Sequence, residues 1–351
     1  MKRFVSLSEH SGEEIGELLA LASRLEKHSD PAALSRTLPG KVLGLLFFNP
    51  SLRTLSSFQA GMARLGGSCF VISPGQGSWQ LETRTGVVMD GAAAEHVREA
   101  IPVLAGYAHA LGIRSFAGGT DLHADLSDAT FAAMAATLEA SYPVPLINLE
   151  SAIDHPCQAL GDWKTLDDLG VPAGGKLVLS WARHPKPLPL AVPATVVQMA
   201  AARGMDVTVL RPDEYALPEP LMARARASAA LSGGTVSETA DREAAIAGAH
   251  VIYAKSWASA KHYGDLAMET ELRARYSDWT VDESWFRPAA PGAHFLHCLP
   301  VRRNVVVADE VLDGPRSAVL PQAHNRMWAQ MAVLHRMLGG LAGLAGQEGA
   351  A

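Results

Sequence analysis

The chain predicts an α/β fold: two doubly wound parallel-sheet domains, with the active site in the cleft between them. Three observations carry this. At 351 residues the chain exceeds one core, and two domains of ~150 residues each are the default expectation. Short apolar runs alternate with longer helical patterns along its length. The strand-like runs are continuously apolar, as strands covered on both faces are.

In the first series, Lys41–Phe48 reads as a buried strand, followed by Asn49-Pro50-Ser51 and a helical stretch, Phe58–Leu65, closed by Gly66-Gly67. Ser68–Ser73 is a second short strand, and Gly75–Trp79 a loop. Glu95–Leu111 is expected to be helical, with Gly112–Phe116 the next strand and Pro145–Leu149 another. The second series begins near Gly175: strand Lys176–Trp181, helix Pro193–Ala202 with its proline in the first turn, strand Met205–Leu210, helical Asp241–Ala247, and strands His250–Ala254 and His294–His297. A last helix spans about Asn325 to Leu341, and the Gly/Ala-rich tail after Leu338 is expected to fray. Domain boundaries are expected at 1–150, completed by a C-terminal helix at about 325–345, and at 151–324, with Asn148–Leu166 crossing between them.

A net charge of −6 argues against nucleic-acid or membrane-surface partners, which require a basic face. Three cysteines, Cys69, Cys157 and Cys298, make no disulfide framework. Met1-Lys2-Arg3-Phe4 carries charge but no apolar run, so no signal peptide is expected, and no apolar run approaches the ~20 residues that span a bilayer. A reduced, cytoplasmic setting is the expectation.

Ligands of doubly wound sheets sit outside the carboxyl ends of the strands. Ser51-Leu52-Arg53-Thr54 follows such an end and opens a helix, where unpaired peptide N–H groups and the helix dipole favour an anion. Ser51 and Thr54 add hydroxyls, and Arg53 a planar cation suited to phosphate. Read alone, Ser51 is an ordinary N-cap and Arg53 a solvated arginine. No GxxxxGK[ST] and no strand-borne GxGxxG occurs, so nucleotide and dinucleotide binding lack support.

Further polar groups fall at strand ends: His155 to Gln158, His184 to Pro187, Lys255-Ser256-Trp257, and His297-Cys298-Leu299-Pro300 with Arg302-Arg303; Arg114 lies within the strand that begins at Gly112. Singly, His155 reads as a core histidine, Cys298 as buried filler, and Lys255 and Arg302 as solvated. Their coincidence at strand ends favours one ligand cleft. No HExxH or paired CxxC spacing supports a metal.

Phe47 to Thr54, His155-Pro156-Cys157-Gln158, His297-Cys298-Leu299-Pro300 and Asn325-Arg326 occur together and in order. This set resembles the aspartate/ornithine transcarbamylase family over nearly the whole chain, from about Val42 to Leu334. Trp79, Val88 to Gly91, His184 to Leu188, Tyr253 to Trp257 and His297 to Asn304 make it most similar to the branch acting on Nα-acylated ornithine, the N-succinylornithine and N-acetylornithine carbamoyltransferases. The DxxxSMG loop of ordinary ornithine carbamoyltransferases is not found.

The resemblance implies a first domain for carbamoyl phosphate and a second for acyl-ornithine. Ser51, Leu52, Arg53 and Thr54 would hold phosphate. Arg114, His155 and Gln158 would contact the carbamoyl group. Cys298, Leu299 and Arg326 would surround its nitrogen. Trp79, Ala94, Glu150, His184, Lys255 and Arg302 would line the acyl-ornithine side, with Trp79 reaching into a neighbouring subunit of a homotrimer. It further implies carbamoyl transfer to the δ-amine of acyl-ornithine, in arginine biosynthesis, with no cofactor. Arg114, His155 and Thr54 would stabilise the charge on the carbonyl oxygen, while Cys298 orients the amine.

Two positions depart from the family pattern. The phosphate motif usually ends in arginine, but here Leu55 follows Thr54; positions 53 and 55 point apart on a helix, so the phosphate grip is expected to survive. Acetylornithine enzymes of this branch place glutamate where Ala94 stands, which would repel a succinyl carboxylate by ~4 kcal/mol at 4 Å and an effective dielectric of ~20. Ala94 therefore favours N-succinylornithine over N-acetylornithine. Ordinary ornithine carbamoyltransfer and a non-catalytic, carbamoyl phosphate-binding paralogue are the alternatives.

Overall fold

A computed structural model describes residues 1–339, so the Gly/Ala-rich tail and the expected helix end at Leu341 lie outside the described residues. The chain divides into two compact units. Unit 1 comprises residues 1–117, 127–157 and the segment from Arg326 onward; unit 2 comprises residues 118–126 and 158–325.

Unit 1 carries strands β1 (Arg3–Phe4), β2 (Val42–Phe47), β3 (Ser68–Ile72), β4 (Gln80–Glu82), β5 (Ala93–His96), β6 (Ala110–Arg114) and β7 (Leu146–Glu150). Its main sheet has the order β1-β7-β6-β2-β3, parallel throughout. Unit 2 carries β8 (Lys176–Trp181), β9 (Asp206–Leu210), β10 (Thr235–Thr239), β11 (Val251–Lys255) and β12 (His294–Leu296), ordered β10-β9-β8-β11-β12, again parallel. In unit 2 the chain starts on the inner strand β8, winds to the edge at β10, then returns to β11 and winds outward to β12; in unit 1 it does the same from β2 to β3 and then from β6 to β7, with β1 added at the far edge. That is the doubly wound topology the alternation predicts.

Local signals place the unit 1 helices. Ser11 caps the helix Gly12–Lys27 through Glu14 N, and Glu14 returns a carboxylate to Ser11 N, a reciprocal pairing of first-turn groups. Ser51 caps the helix Leu52–Arg64. That helix ends where Gly66 turns to φ +85°, with Ser35 O only 1.7 Å from where a Cβ would stand; no side chain fits there. Leu46, Leu111, Ile113 and Leu146 of the sheet pack with Val97, Ile101, Phe131, Met134 and Leu138 from the helices Val97–Gly106 and Ala129–Ser141. Burying each such side chain contributes about 1.5–3 kcal/mol.

Three expectations are corrected. Glu95–Leu111 is not one helix: Glu95 and His96 end β5, the helix is Val97–Gly106, and Ala110 and Leu111 open β6. An apolar stretch flanked by helix formers hides the strand start, because period alone does not separate a short buried strand from a helix. Arg114 is the last residue of β6, not a mid-strand residue. The last helix begins at Val319, ahead of Asn325, since Pro321 falls in its first turn, where proline is tolerated.

Unit 2 is built round aromatic rings. Trp181 stacks on Tyr215 with centroids 4.5 Å apart and meets Tyr276 and Trp279 edge-on at 6.0 Å. The helix Ala191–Ala202 is buried over most of its length, so its sequence reads apolar all round. The pair Arg273–Glu269 lies inside this core, Nε to Oε2 at 2.8 Å. Arg273 also donates to Ser256 Oγ at 2.8 Å and to Trp257 O at 2.6 Å.

Candidate active site

The topology of each sheet selects one place for a ligand. In unit 1 the chain leaves β2 and β6 towards opposite edges, and the carboxyl ends of such neighbours form a crevice. Phe47 and Arg114 are register partners at those ends. In unit 2 the corresponding strands are β8 and β11, with Trp181 and Lys255 paired at their ends.

At the unit 1 switch point, Phe116 N donates to Asn49 Oδ1 at 2.8 Å and Phe48 N to Arg114 O at 3.0 Å. These bonds tie the turn after β2 to the turn after β6. Ser51 Oγ accepts from Thr54 N at 3.3 Å and donates to Thr54 Oγ1 at 2.9 Å. Thr54 is fully buried, Arg53 and Leu55 are half-buried, and Leu52 is 77% exposed. Ser51 is thus the N-cap it resembles, and that bond holds the first turn in which Arg53 stands.

Arg114 is 6% exposed and stacks over the Phe116 ring, 4.5 Å from its centre. Its Nη1 is paired with Glu150 Oε2, and the same carboxylate oxygen lies 3.4 Å from His155 Nε2. Glu150 therefore bridges the arginine and histidine of unit 1, while of the other unit 1 candidates for the acyl-ornithine side Ala94 lies in β5 and Trp79 immediately precedes β4. The turn into His155 is held from behind: Asp128, at φ +53°, accepts from Ala152 N at 3.1 Å and from Ser151 Oγ. Cys157 is wholly buried, and burial pushes its thiol up to about 12, partly opposed by Arg326. It remains a neutral thiol.

These two candidates lie in or beside the two-stranded ribbon β4–β5. Gln80 pairs with Ala93 and Leu81 with Glu95, so Ala94 is the extra residue of a bulge. Bulges re-aim side chains beside functional sites, and Ala94 is exposed. Trp79 is 60% exposed, and its Nε1 donates to Glu95 Oε2 at 2.7 Å.

In unit 2, Arg302 Nε donates to His184 Nε2 at 3.1 Å. His184 Nε2 is the accepting nitrogen of that bond, and its Nδ1 faces the Lys186 backbone, 2.8 Å from Lys186 O and 3.1 Å from Lys186 N, which donates to it. Burial, with Arg302, Lys255 and Arg273 nearby, holds the His184 pKa below its ordinary 6.5 against the opposing Lys186 bond. The result is a neutral imidazole among cations, which suits an anionic group. β12 ends at Leu296, so His297 and Cys298 lie beyond the strand rather than within it. His297 Nδ1 accepts from Leu299 N at 2.9 Å. Leu299 has φ +56°, a strained state for a branched side chain that functional sites retain where it aims the backbone.

Several contributors escape sequence reading. Asp162, Tyr253 and Gln322 form a buried cluster with Gln158; only the i,i+4 spacing of Gln158 and Asp162 hints at it. Glu95 lies sixteen positions beyond its partner Trp79, and no local spacing points to it. Among the described residues, no group of three or more His, Cys, Asp or Glu is placed to hold a metal, and no helix is long and apolar enough to cross a membrane. A 270 Å³ cavity lined by Lys2, Arg3, Leu138 and Leu146 lies at the amino ends of β1 and β7, opposite the carboxyl ends that bear these residues.

Comparison with known proteins identifies the family. Residues 2–168 match the family "Aspartate/ornithine carbamoyltransferase, carbamoyl-P binding domain" and residues 191–337 its "Asp/Orn binding domain". The N-acetylornithine carbamoyltransferase of Xanthomonas campestris is 38% identical over 343 residues, 97% of this chain and 98% of that protein. The N-succinylornithine carbamoyltransferase of Bacteroides thetaiotaomicron is 35% identical over 344 residues, 97% of this chain and all of that protein. A crystal structure of a glutamate-to-alanine variant of an N-acetyl-L-ornithine transcarbamylase, complexed with carbamyl phosphate and N-succinyl-L-norvaline, superposes with a TM-score of 0.90 at 37% identity, covering 96% of this chain and 100% of that one. The chain belongs to the aspartate/ornithine carbamoyltransferase family and is a carbamoyltransferase.

Proposed function

We propose that this carbamoyltransferase moves the carbamoyl group of carbamoyl phosphate to the δ-amine of an Nα-acylated ornithine, in arginine biosynthesis, and that it prefers N-succinylornithine to N-acetylornithine. The observation that carries the acceptor preference is Ala94, alone in the bulge of β5. The relatives pull in two directions. Whole-chain identity is slightly higher to the acetylornithine enzyme, yet a glutamate-to-alanine change in such an enzyme accompanies a bound succinyl compound. A pocket charge decides an acyl group more directly than an average over the chain does.

The roles follow the chemistry of each group. Ser51, Leu52 through its N–H, Arg53 and Thr54 hold phosphate at the helix start, and residues 1–150 with the last helix form the carbamoyl phosphate domain. Arg114, His155 and Thr54 stabilise charge on the carbonyl oxygen; losing one such donor costs about 2.7–4 kcal/mol. Gln158, Leu299 and Arg326 bind the carbamoyl group, and Cys298 orients the attacking amine. The C–N bond forms as the C–O bond to phosphate breaks, and the departing phosphate takes the amine proton. His184, Lys255 and Arg302 bind the acceptor's carboxylates, with Trp79 and Glu150, and residues 151–324 form the acceptor domain.

The chain works as a homotrimer in which Trp79 enters a neighbouring site. The exposed indole and the half-buried residues Cys69–Ile72 of edge strand β3 support a surface that a second copy covers. A carbamoyl phosphate assay with succinyl-, acetyl- and free ornithine tests the function: no citrulline derivative from any acceptor refutes it, and the ratio ranks the three. Sedimentation at a single monomer mass refutes the trimer.

A further inference from the structure

Asp162 is wholly buried on the helix Pro156–Asp168, one turn after Gln158. Its carboxylate is surrounded by donors. Gln158 Nε2 reaches Oδ1 at 2.7 Å, Gln322 Nε2 reaches the same oxygen at 2.7 Å, and Tyr253 OH reaches Oδ2 at 3.1 Å. Gln158, Gln322 and Tyr253 are each 1% exposed or less.

The Gln322 amide sets the direction of these bonds. His297 N is a donor only, and it meets Gln322 Oε1 at 3.0 Å. The Gln322 amide nitrogen therefore faces Asp162 and also donates to Tyr253 OH at 3.0 Å. Tyr253, having accepted that proton, gives its own to Asp162. A carboxylate offers only acceptors to these donors. The amide nitrogen of Gln158 must then face it, and the Gln158 carbonyl oxygen must turn away.

We propose that Asp162 is a positioning residue for carbamoyl transfer: it holds the Gln158 amide in the orientation that presents its oxygen, an acceptor, to the NH2 of carbamoyl phosphate. A freely rotating amide would present donor and acceptor ends alike, and a donor there would oppose the carbamoyl NH2. The inference rests on the carbamoyl phosphate reading of the site. It adds that Gln158 recognises the amino end of the carbamoyl group because of a carboxylate that never touches substrate.

The test is a double-mutant cycle. Asp162→Asn keeps the shape but replaces an obligate acceptor with a side chain that can donate to Gln158 Oε1 and let the amide rotate. The expected result is a rise in KM for carbamoyl phosphate of about tenfold, with KM for the acceptor unchanged. In a Gln158→Ala background Asp162→Asn should change neither kcat nor KM further, because the group it acts through is gone. Losses that add in the double variant, or an unaltered KM for carbamoyl phosphate, overturn the proposal. If Asp162→Asn does not yield folded protein, Asp162→Ser enters the same cycle, since its hydroxyl also donates and releases the amide. Wild-type turnover separates the two claims: an inactive wild type refutes the assigned reaction, and an active wild type with an additive cycle refutes the role of Asp162 alone.

Discussion

Arg302 Nε donates to His184 Nε2 across 3.1 Å, although the two residues lie 118 positions apart. A neutral imidazole can accept that bond; an imidazolium cannot. The contact therefore joins a permanent cation to a titrating group that must stay uncharged.

His184 sets an acid limit on stability. Its folded pKa lies below 6.5, chiefly through burial, with Arg302, Lys255 and Arg273 adding to the effect and the Lys186 backbone bond opposing it. Between the folded value and 6.5 the unfolded chain binds more protons, so stability falls as pH drops through that window and levels off below it. His184→Gln offers Arg302 an acceptor without titrating. Urea midpoints from pH 7.5 to 5 should decline more steeply for the wild type than for His184→Gln; parallel curves would exclude this group as a source of the decline.

Ala94 predicts a specificity switch. Ala94→Glu places a carboxylate in the β5 bulge, where the proposed succinyl carboxylate comes. Like charges ~4 Å apart cost between about 1 kcal/mol in water and about 4 kcal/mol at an effective dielectric of ~20. The ratio of kcat/KM for succinylornithine over acetylornithine should fall about tenfold or more. An unchanged ratio would refute the pocket assignment.

The phosphate grip should depend on Arg53 and not on an arginine at position 55. Thr54 is buried between the two, and charged hydrogen bonds contribute about 1.5–3 kcal/mol. Arg53→Ala should weaken carbamoyl phosphate binding at least about tenfold, whereas Leu55→Arg should leave the dissociation constant within about twofold. Titration calorimetry of both variants measures this, and a tighter Leu55→Arg complex would contradict it.

Arg273 underpins the loop that follows β11. Its partner Glu269 is 1% exposed, and stranding a buried charge costs about 3–5 kcal/mol. Arg273→Leu should lower unfolding free energy by that order, while Arg273→Leu with Glu269→Leu should recover much of it. Because Arg273 also holds Ser256 and Trp257 O, the single variant should raise KM for the acceptor even at temperatures where it is folded.

The buried strands were the most legible part of the chain, whereas β1, β4, β5 and β10, short or half-buried, were not read as strands. Val42–Phe47 and Lys176–Trp181 are buried at every residue after the first, as strands covered on both faces are. Ser51 was legible as a cap because capping is a contact within one turn. The start of β6 was not legible, since Ala110-Leu111 suits a helix as well as a strand until a neighbour pairs with it. Pro321 likewise permitted a helix start that a local reading passed over.

By itself the sequence determined what is local or periodic: the parallel α/β class, the capped helix start at Ser51, and the ordered motifs that mark the family. Only the tertiary structure decided which distant groups share a proton or a charge. It joined Glu150 to Arg114 and His155, Trp79 to Glu95, and Asp162 to Gln158, Tyr253 and Gln322. Except for Gln158 and Asp162, these partners lie more than a helical turn apart in sequence. No propensity or period encodes such pairs; the direction of their hydrogen bonds follows only once the sheets have brought them together. Ser51 needed one turn of helix to find its role, and Asp162 needed two further segments of the chain.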